Sequence, residues 1–458
     1  MAVNLDSTEH GRSNPLSTPG SDRMAAHGRQ VIPAATMSNF RREIDYHPVY
    51  MVAGKGARLY DVDGNEYIDY SLGYGPAALG HSNQHVRDAL RRQVDRLYTV
   101  NVNDLEVAAA QKVVDTVPSA ELVRFACSGT EAVRGAIRVA RAYTGRPKYL
   151  RFNGHYHGGL DHLMGGVVLD PDHPVPSPGE REDDNYSMYT NTKGRYPDAF
   201  RECFMIEWND LPSLERLLER QASEIAAIIL EPVMVNNYGC LPEPGYLEAV
   251  RDLCTEYGIV LIFDEVLTGF RIGLHGAQGH FGVTPDLTVL AKALGAGFPV
   301  SSTCGRRDMM DTLTRADAIQ GGTYSGHPMA MASVIAAIEE YARDDGAVFR
   351  QIERTGHQLR EGMEQIAAEH AQPLVLQGFP GAWGFTFNAQ RRRIRNQAEG
   401  RGSDFAKAAR FTQLLKERGV LSGNRFCTSA AHTERDVADT LDRANEVMRI
   451  LKEEDARR

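Results

Sequence analysis

From about residue 120 the chain alternates short, continuously apolar runs with longer segments that are apolar along one stripe only. Leu122-Val123-Arg124-Phe125, Lys148 to Phe152, Phe204-Met205-Ile206, Ile225 to Leu230 and Ile259 to Phe263 read as strands. Between them, Thr130 to Tyr143 places Ala132, Ala136, Val139 and Ala140 on one helical face, and Leu211 to Gln221 and Tyr246 to Tyr257 keep the same period. Strands apolar on both faces and alternating with helices predict an α/β fold around a mostly parallel sheet. In such sheets ligands collect at the carboxyl ends of the strands.

The flanks read differently. Tyr46 to Tyr70 alternates apolar and polar residues around Asp61-Val62-Asp63-Gly64-Asn65, the turn chemistry of a hairpin. Ala89 to Leu97 and Glu106 to Val117 follow as amphipathic helices. After Met329 to Arg343 and Phe349 to Glu369, a strand-rich stretch around Gly384-Phe385-Thr386-Phe387 and helices from Phe405 to Arg418 and Glu434 to Lys452 predict a smaller C-terminal lobe. Residues 170–200 have no period and break the rhythm, either as an excursion from the fold or as a loop over a site. Residues 1–30 are polar, lack the apolar core of a secretory signal, and are expected to form a flexible N-terminal tail.

Composition narrows the function. At 458 residues the chain exceeds one ordinary core, so at least two lobes are expected. A net charge of -9 argues against a nucleic-acid partner, which needs a basic face. The run Arg391-Arg392-Arg393-Ile394-Arg395 is a local exception, to be read as a solvated loop or as a handle for an anion. No apolar stretch is long enough to span a membrane. The six cysteines form no Cys-x-x-Cys pair, which fits reduced thiols and a cytoplasmic location. No metal site is expected, since His155 and His157 lack a third ligand.

The chemistry-bearing residues sit where strands end. Asp264 closes the apolar run Ile259 to Phe263, and Lys292 lies in Leu290-Ala291-Lys292-Ala293-Leu294-Gly295, where a strand runs into a glycine-rich turn. An amine and a carboxylate delivered by two strand tips suit a pyridoxal phosphate enzyme. The amine condenses with the aldehyde, and the acid holds the pyridinium proton. Ser128-Gly129-Thr130-Glu131 opens a helix. It reads as a capping box, as a cup of N–H groups and hydroxyls for a phosphate, or as both. His155-Tyr156-His157-Gly158 follows a strand and offers an aromatic ring to a flat pyridine. Val266 lies two residues beyond Asp264, on the same side. Glu231 ends another strand, where a buried carboxylate needs a partner. Gly321-Gly322-Thr323-Tyr324-Ser325 is a plain loop or a second phosphate contact.

Taken together these residues resemble the class III, fold-type I family of pyridoxal phosphate enzymes, and within it the glutamate-1-semialdehyde aminomutases and their related aminotransferases. The resemblance spans about Pro33 to Val447. It rests on Tyr60-Asp61-Val62-Asp63-Gly64, Leu79-Gly80-His81, Ser128 to Ala132, Tyr156-His157-Gly158, Glu231-Pro232, Phe263-Asp264-Glu265-Val266-x-Thr268-Gly269-Phe270-Arg271, Lys292 and Gly322-Thr323. It implies a large domain with a mostly parallel seven-stranded sheet (residues 101–330), and a smaller α+β domain from an N-terminal arm (31–100) and the C-terminal segment (331–458). It also implies pyridoxal 5'-phosphate, with Lys292 as the Schiff-base and proton-shuttling lysine and Asp264 on the ring nitrogen. Ser128, Gly129 and Thr130 would hold the phosphate, and Tyr156 and Val266 the two ring faces. The family's dimers imply a homodimer with Thr323 contributed across the interface, and Arg41 falls where relatives grip a substrate carboxylate.

Three departures stand out. His327 replaces a usual asparagine, the Asn236-Asn237 turn carries about one residue more than the usual pattern, and the glutamate that aminomutases tend to carry near Asn424-Arg425 is missing. These favour an aminotransferase moving an amino group from a donor such as glutamate or alanine to a keto or aldehyde acceptor. The alternatives are the aminomutase, or a pyridoxal phosphate binding protein without catalysis.

Overall fold

The computed structural model of the chain describes residues 15–41, 48–164, 194–196 and 198–457. Most of the irregular stretch at 170–200 lies outside the described residues. The expected tail, by contrast, contains helix α1 (Pro19–Val31), which corrects that reading from Pro19 onward. Proline opens the helix, where its missing N–H costs nothing, and Asp63 accepts the N–H groups of Gly20 at 2.6 Å and Ser21 at 3.0 Å. A polar composition signals solvent, but here a carboxylate 42 and 43 residues away in sequence pins the segment down.

After β1 (Met51–Lys55), β2 (Arg58–Asp61) and β3 (Glu66–Asp69) form the antiparallel hairpin that the Asp-Gly-Asn turn predicts. Asp61 Oδ1 accepts the turn's N–H groups from Asp63 and Asn65 at 2.9 and 2.8 Å. Helices α2 (Gln84–Arg96) and α3 (Asp104–Thr116) start earlier than their apolar period suggests. Asn83 and Asn103 cap them ahead of the first apolar residue.

The central unit runs β4 (Leu122–Ala126), α4 (Gly129–Thr144), β5 (Lys148–Phe152), β6 (Cys203–Ile206), α5 (Leu211–Gln221), β7 (Ile225–Leu230), α6 (Tyr246–Tyr257) and β8 (Val260–Asp264). It continues through α7 (Gly276–Phe281), β9 (Leu287–Leu290), β10 (Ser301–Gly305), α8 (Arg307–Thr314) and α9 (Pro328–Ala342). Seven strands form one sheet in the order β4-β10-β9-β8-β7-β5-β6, with only β10 antiparallel to its neighbours. Leu150, Phe152, Ile228 and Leu261 fill the core on one face. Tyr149, Ala227, Ile229 and Ile262 pack under α4 on the other. The polar strand β10 is buried throughout, and two of its three hydroxyls find partners: Ser301 Oγ donates to the Ser128 carbonyl at 2.7 Å and Thr303 Oγ1 to the Ala132 carbonyl at 2.8 Å.

The remaining elements are α10 (Ala347–Glu369), β11 (Leu374–Phe379), β12 (Ala382–Phe387), α11 (Gln397–Gly400), α12 (Phe405–Glu417), β13 (Val420–Leu421), β14 (Arg425–Cys427) and α13 (Glu434–Arg457). β11, β12 and β14 make an antiparallel sheet, while β13 pairs parallel with β3 and so ties the two ends of the chain together. Leu359, Trp383, Phe411 and Val447 lie at the centre of this lobe's core. Among the described residues no helix is long and apolar enough to cross a membrane.

Candidate active site

The parallel strands deliver their carboxyl ends to a cavity of about 340 Å³, lined among others by Gly129, Thr130, Tyr156, His157, Asp264 and Lys292. That volume suits a small organic ligand. Asp264 is the last residue of β8, and Lys292 lies two residues beyond β9, at the start of a 3-10 turn. Lys292 adopts φ 46°, a conformation that side chains other than glycine rarely enter. The turn is held there from α9: Tyr341 donates to the Ala293 carbonyl at 2.9 Å and Ser333 to the Gly295 carbonyl at 2.7 Å. Neighbouring structure therefore imposes the strained backbone that aims the amine.

The electrostatics are those of buried, mutually dependent groups. Burial pulls the Lys292 amine down to about 8, helped by the nearby Arg425 cation and opposed by Glu231 and Asp264. Burial pushes Asp264 up to about 7, against the Val266 N–H bond (3.1 Å) and the Lys292 charge, both of which favour the anion. Glu231, at the tip of β7, is pushed up to about 8 by burial and by Asp264. It accepts the Tyr156 N–H at 2.6 Å and an Asn236 amide N–H at 2.9 Å. His157 is fully buried with Nδ1 2.7 Å from Asp264 Oδ2; burial, with the Arg151 charge, lowers its pKa to about 3, so the ring is neutral and shares one proton with the Asp264 carboxyl.

Of the residues singled out in the sequence, the fold brings Gly129, Thr130, Tyr156, Asp264, Val266 and Lys292 to one cavity. A β-carbon on Gly129 would lie 3.2 Å from Val266, so this glycine leaves room at the floor of the cup. Ser128 forms the capping box with Glu131: its hydroxyl accepts the Glu131 N–H at 3.3 Å and donates to the Glu131 carboxylate at 3.0 Å. Its side chain is thus engaged in the cap, and it is Gly129 and Thr130 that line the cavity. As first-turn residues their N–H groups have no partner within the helix. Arg41 is exposed at the rim, next to Phe40, whose ring meets Tyr156 edge-on with centroids 5.5 Å apart. Thr323 is exposed and does not line this chain's own cavity. His327 does the work of the asparagine it replaces, accepting the Met329 N–H at 3.3 Å as the cap of α9. The basic run pairs locally, Arg395 with Glu399 at 2.6 Å and Arg393 with Glu243 at 3.6 Å.

The Asp264 partner was not legible in the sequence. His157 looked like half of a His-x-His pair, but His155 turns away and accepts the Glu231 N–H through Nδ1 at 2.9 Å. Nothing in the spacing distinguishes those two fates. Arg425 is likewise built in: buried, 6.0 Å over the Tyr74 ring, and donating to Asn236 Oδ1 at 3.2 Å. The long Asn236-Asn237 turn is what carries that amide between Glu231 and Arg425.

An acid beside an amine, first-turn N–H groups opposite them and an aromatic side chain between fit pyridoxal phosphate. The fold and this cavity define a transferase of the fold-type I class, and comparison with known proteins agrees. The aminotransferase class-III family model matches residues 40–428. The chain is 38% identical over 435 residues to glutamate-1-semialdehyde 2,1-aminomutase 2 of Halalkalibacterium halodurans, covering 93% of this chain and 96% of that protein. It is 36% identical to glutamate-1-semialdehyde 2,1-aminomutase of Methanothermobacter thermautotrophicus, covering 94% and 99%. An omega-transaminase from Sphaerobacter thermophilus superposes with TM-score 0.86 at 29% identity, over 94% of this chain and 98% of that one. A transaminase solved with PLP bound gives TM-score 0.84 at 26% identity, over 96% and 99%. The chain belongs to the class-III aminotransferases, enzymes that depend on pyridoxal phosphate.

Proposed function

We propose that this enzyme moves an amino group from a donor such as glutamate or alanine to a separate keto or aldehyde acceptor. The observation that carries the choice is Arg425. It stands in the region where related aminomutases tend to carry a glutamate, is buried, and has its charge felt at Lys292. A fixed cation there suits an anionic substrate.

In this reading Lys292 Nζ would hold the cofactor through its aldehyde, and the same amine is placed to move a proton between the amino-bearing carbon of the substrate and a second atom in the pocket. The bound cofactor supplies an electron sink for the charge left on that carbon. Asp264, with the neutral His157 donating to it, holds the proton on the ring nitrogen. Gly129 and Thr130 N–H groups, with the Thr130 hydroxyl and the Ser128 cap, hold the phosphate at the positive end of α4. Tyr156 and Val266 bracket the ring. Arg41 grips a substrate carboxylate at the rim. Thr323 completes the phosphate site of a second copy in a homodimer, which accords with its exposure in one chain. Six cysteines outside any disulfide accord with the cytoplasm.

A panel of amino donors and keto acceptors tests this reading. At least one pair should change the absorbance of the bound cofactor and release an amine product. If no donor does so, while the semialdehyde of glutamate is turned into 5-aminolevulinate without any donor, transamination between two substrates is overturned. That second reading, intramolecular transfer, is favoured by the names of the relatives at 36–38% identity.

A further inference from the structure

Arg151, in the middle of β5, is fully buried, and its Nε and both terminal nitrogens have no hydrogen-bond partner. Among the described residues it makes no ion pair. A guanidinium that has left water and found no partner is expensive, so a fold that keeps one invites an explanation. Strand alternation and register say where it points. Leu150 pairs with Ile228 and Ile229 with Ile262, which puts Arg151, Ile229 and Ile262 in one row across β5, β7 and β8. Side chains alternate, so Glu231 and Asp264 lie on that same face, one pleat further on. Two strand spacings and one pleat separate the α-carbons of Arg151 and Asp264 by roughly 12 Å. His157 is bound to Asp264 on this side and feels the Arg151 charge. Its Nδ1 is committed to Asp264, while its Nε2 is buried and unpartnered. Donors without an acceptor thus lie on the side of the ring where an acceptor lacks a donor.

We propose that Arg151 is a positioning residue that acts through His157: its N–H groups face the Nε2 lone pair across one water, and fix the tautomer whose Nδ1–H is donated to Asp264. The inference rests on the assignment of Asp264 to the cofactor's ring nitrogen. The other charged groups around the ring do not do this. Asp264 from β8 favours a proton on Nδ1 but leaves Nε2 free to take a second one. Glu231 from β7 is turned to Tyr156 and Asn236, and Lys292 lies beyond Asp264. His155 is held at Glu231, its ring 5.9 Å from that of His157. His162 and Arg195 lie further along the Arg151 face, where Arg195 donates to the Met164 carbonyl at 3.1 Å. The Arg151 charge opposes a proton on His155 and His157 alike, which accords with its place behind them. A doubly protonated His157 would set a cation against Asp264 and weaken its hold on a ring proton.

The test uses holoenzyme carrying Arg151→Met, Arg151→Lys, His157→Gln, and Arg151→Met with His157→Gln. Nitrogen-15 shifts of His157 report the tautomer, and absorbance against pH reports the bound cofactor. The parent should show a protonated Nδ1 and a bare Nε2 through neutral pH. Arg151→Met should raise the proton affinity of His157 by about one unit or more, since loss of a cation favours a second proton on its ring, and the absorbance midpoint should move together with that second proton. Arg151→Lys should restore most of both signals. In the His157→Gln background Arg151→Met should add no shift. Unchanged His157 shifts in Arg151→Met, or an equal midpoint shift with and without His157, would overturn the proposal. Should Arg151→Met fail to fold, Arg151→Gln takes its place: it keeps a neutral donor, so the tautomer and the absorbance midpoint should both stay near those of the parent, and a lost tautomer would count against the proposal. If Asp264→Asn leaves the absorbance midpoint unmoved, the fault lies with the Asp264 assignment and not with Arg151.

Discussion

The strand tips and the outer rim of the cavity are built on opposite principles. At the tips, groups in the cavity are held from another element of the same chain: Asp264 by His157, Glu231 by Asn236, the Lys292 turn by Tyr341 and Ser333. Outside the cavity lining, Arg41, Thr323, Tyr324 and Ile319 stand exposed, the last two at 62% and 70%. Large apolar side chains left in water beside a functional loop mark a surface made for a partner. The difference is that the amine and the carboxylates of the cavity are fixed from within one chain, whereas Thr323, the contact proposed for a second copy, lies on the open surface.

The sharpest way to test the contrast is at its inner side. Lys292→Ala should abolish the covalent cofactor absorbance and cut amino transfer by about 10⁴-fold or more, read by single-turnover spectra. Asp264→Asn keeps the shape but not the charge, and should cost roughly 10²–10³-fold in kcat with little change in KM. Arg41→Ala, at the outer side, should raise KM for carboxylate substrates by about 10- to 100-fold, with kcat much less affected. Thr323→Ala should weaken cofactor binding by about tenfold at most. In mixed dimers of Lys292→Ala with Thr323→Ala subunits, one of the two sites should carry both lesions and the other neither, so half the activity should survive; two equally impaired sites would break the comparison. The smallest effect is that of pH. The Lys292 amine is neutral only above about 8, so the rate of cofactor capture by the cofactor-free chain should rise by roughly tenfold per pH unit below that value and level off above it.

Legibility in the sequence followed the same division. β5, α5, β7 and α6 occupy the residues their apolar patterns predict, because a strand buried on both faces and a helix with one buried stripe leave unmistakable periods. β10 was invisible, since Ser-Ser-Thr-Cys-Gly has no apolar run and is buried where particular carbonyls await two of its hydroxyls. Helix α1 was misjudged for a related reason: the Asp63 carboxylate that anchors it comes from a distant turn. Lys292 and Asp264 could be found because chemistry and strand ends coincide there. The His157 bond to Asp264 could not, because it depends on which way two similar rings turn.

That unremarkable strand β10 has one more consequence. It lies between the strand that leads into the α4 cup and the strand that leads to Lys292, and two of its hydroxyls grip the cup's backbone. It therefore works as a gauge block, setting the span between the two anchor points without touching anything held between them. Redesign for a longer or shorter aldehyde would begin there, at residues with no chemistry of their own.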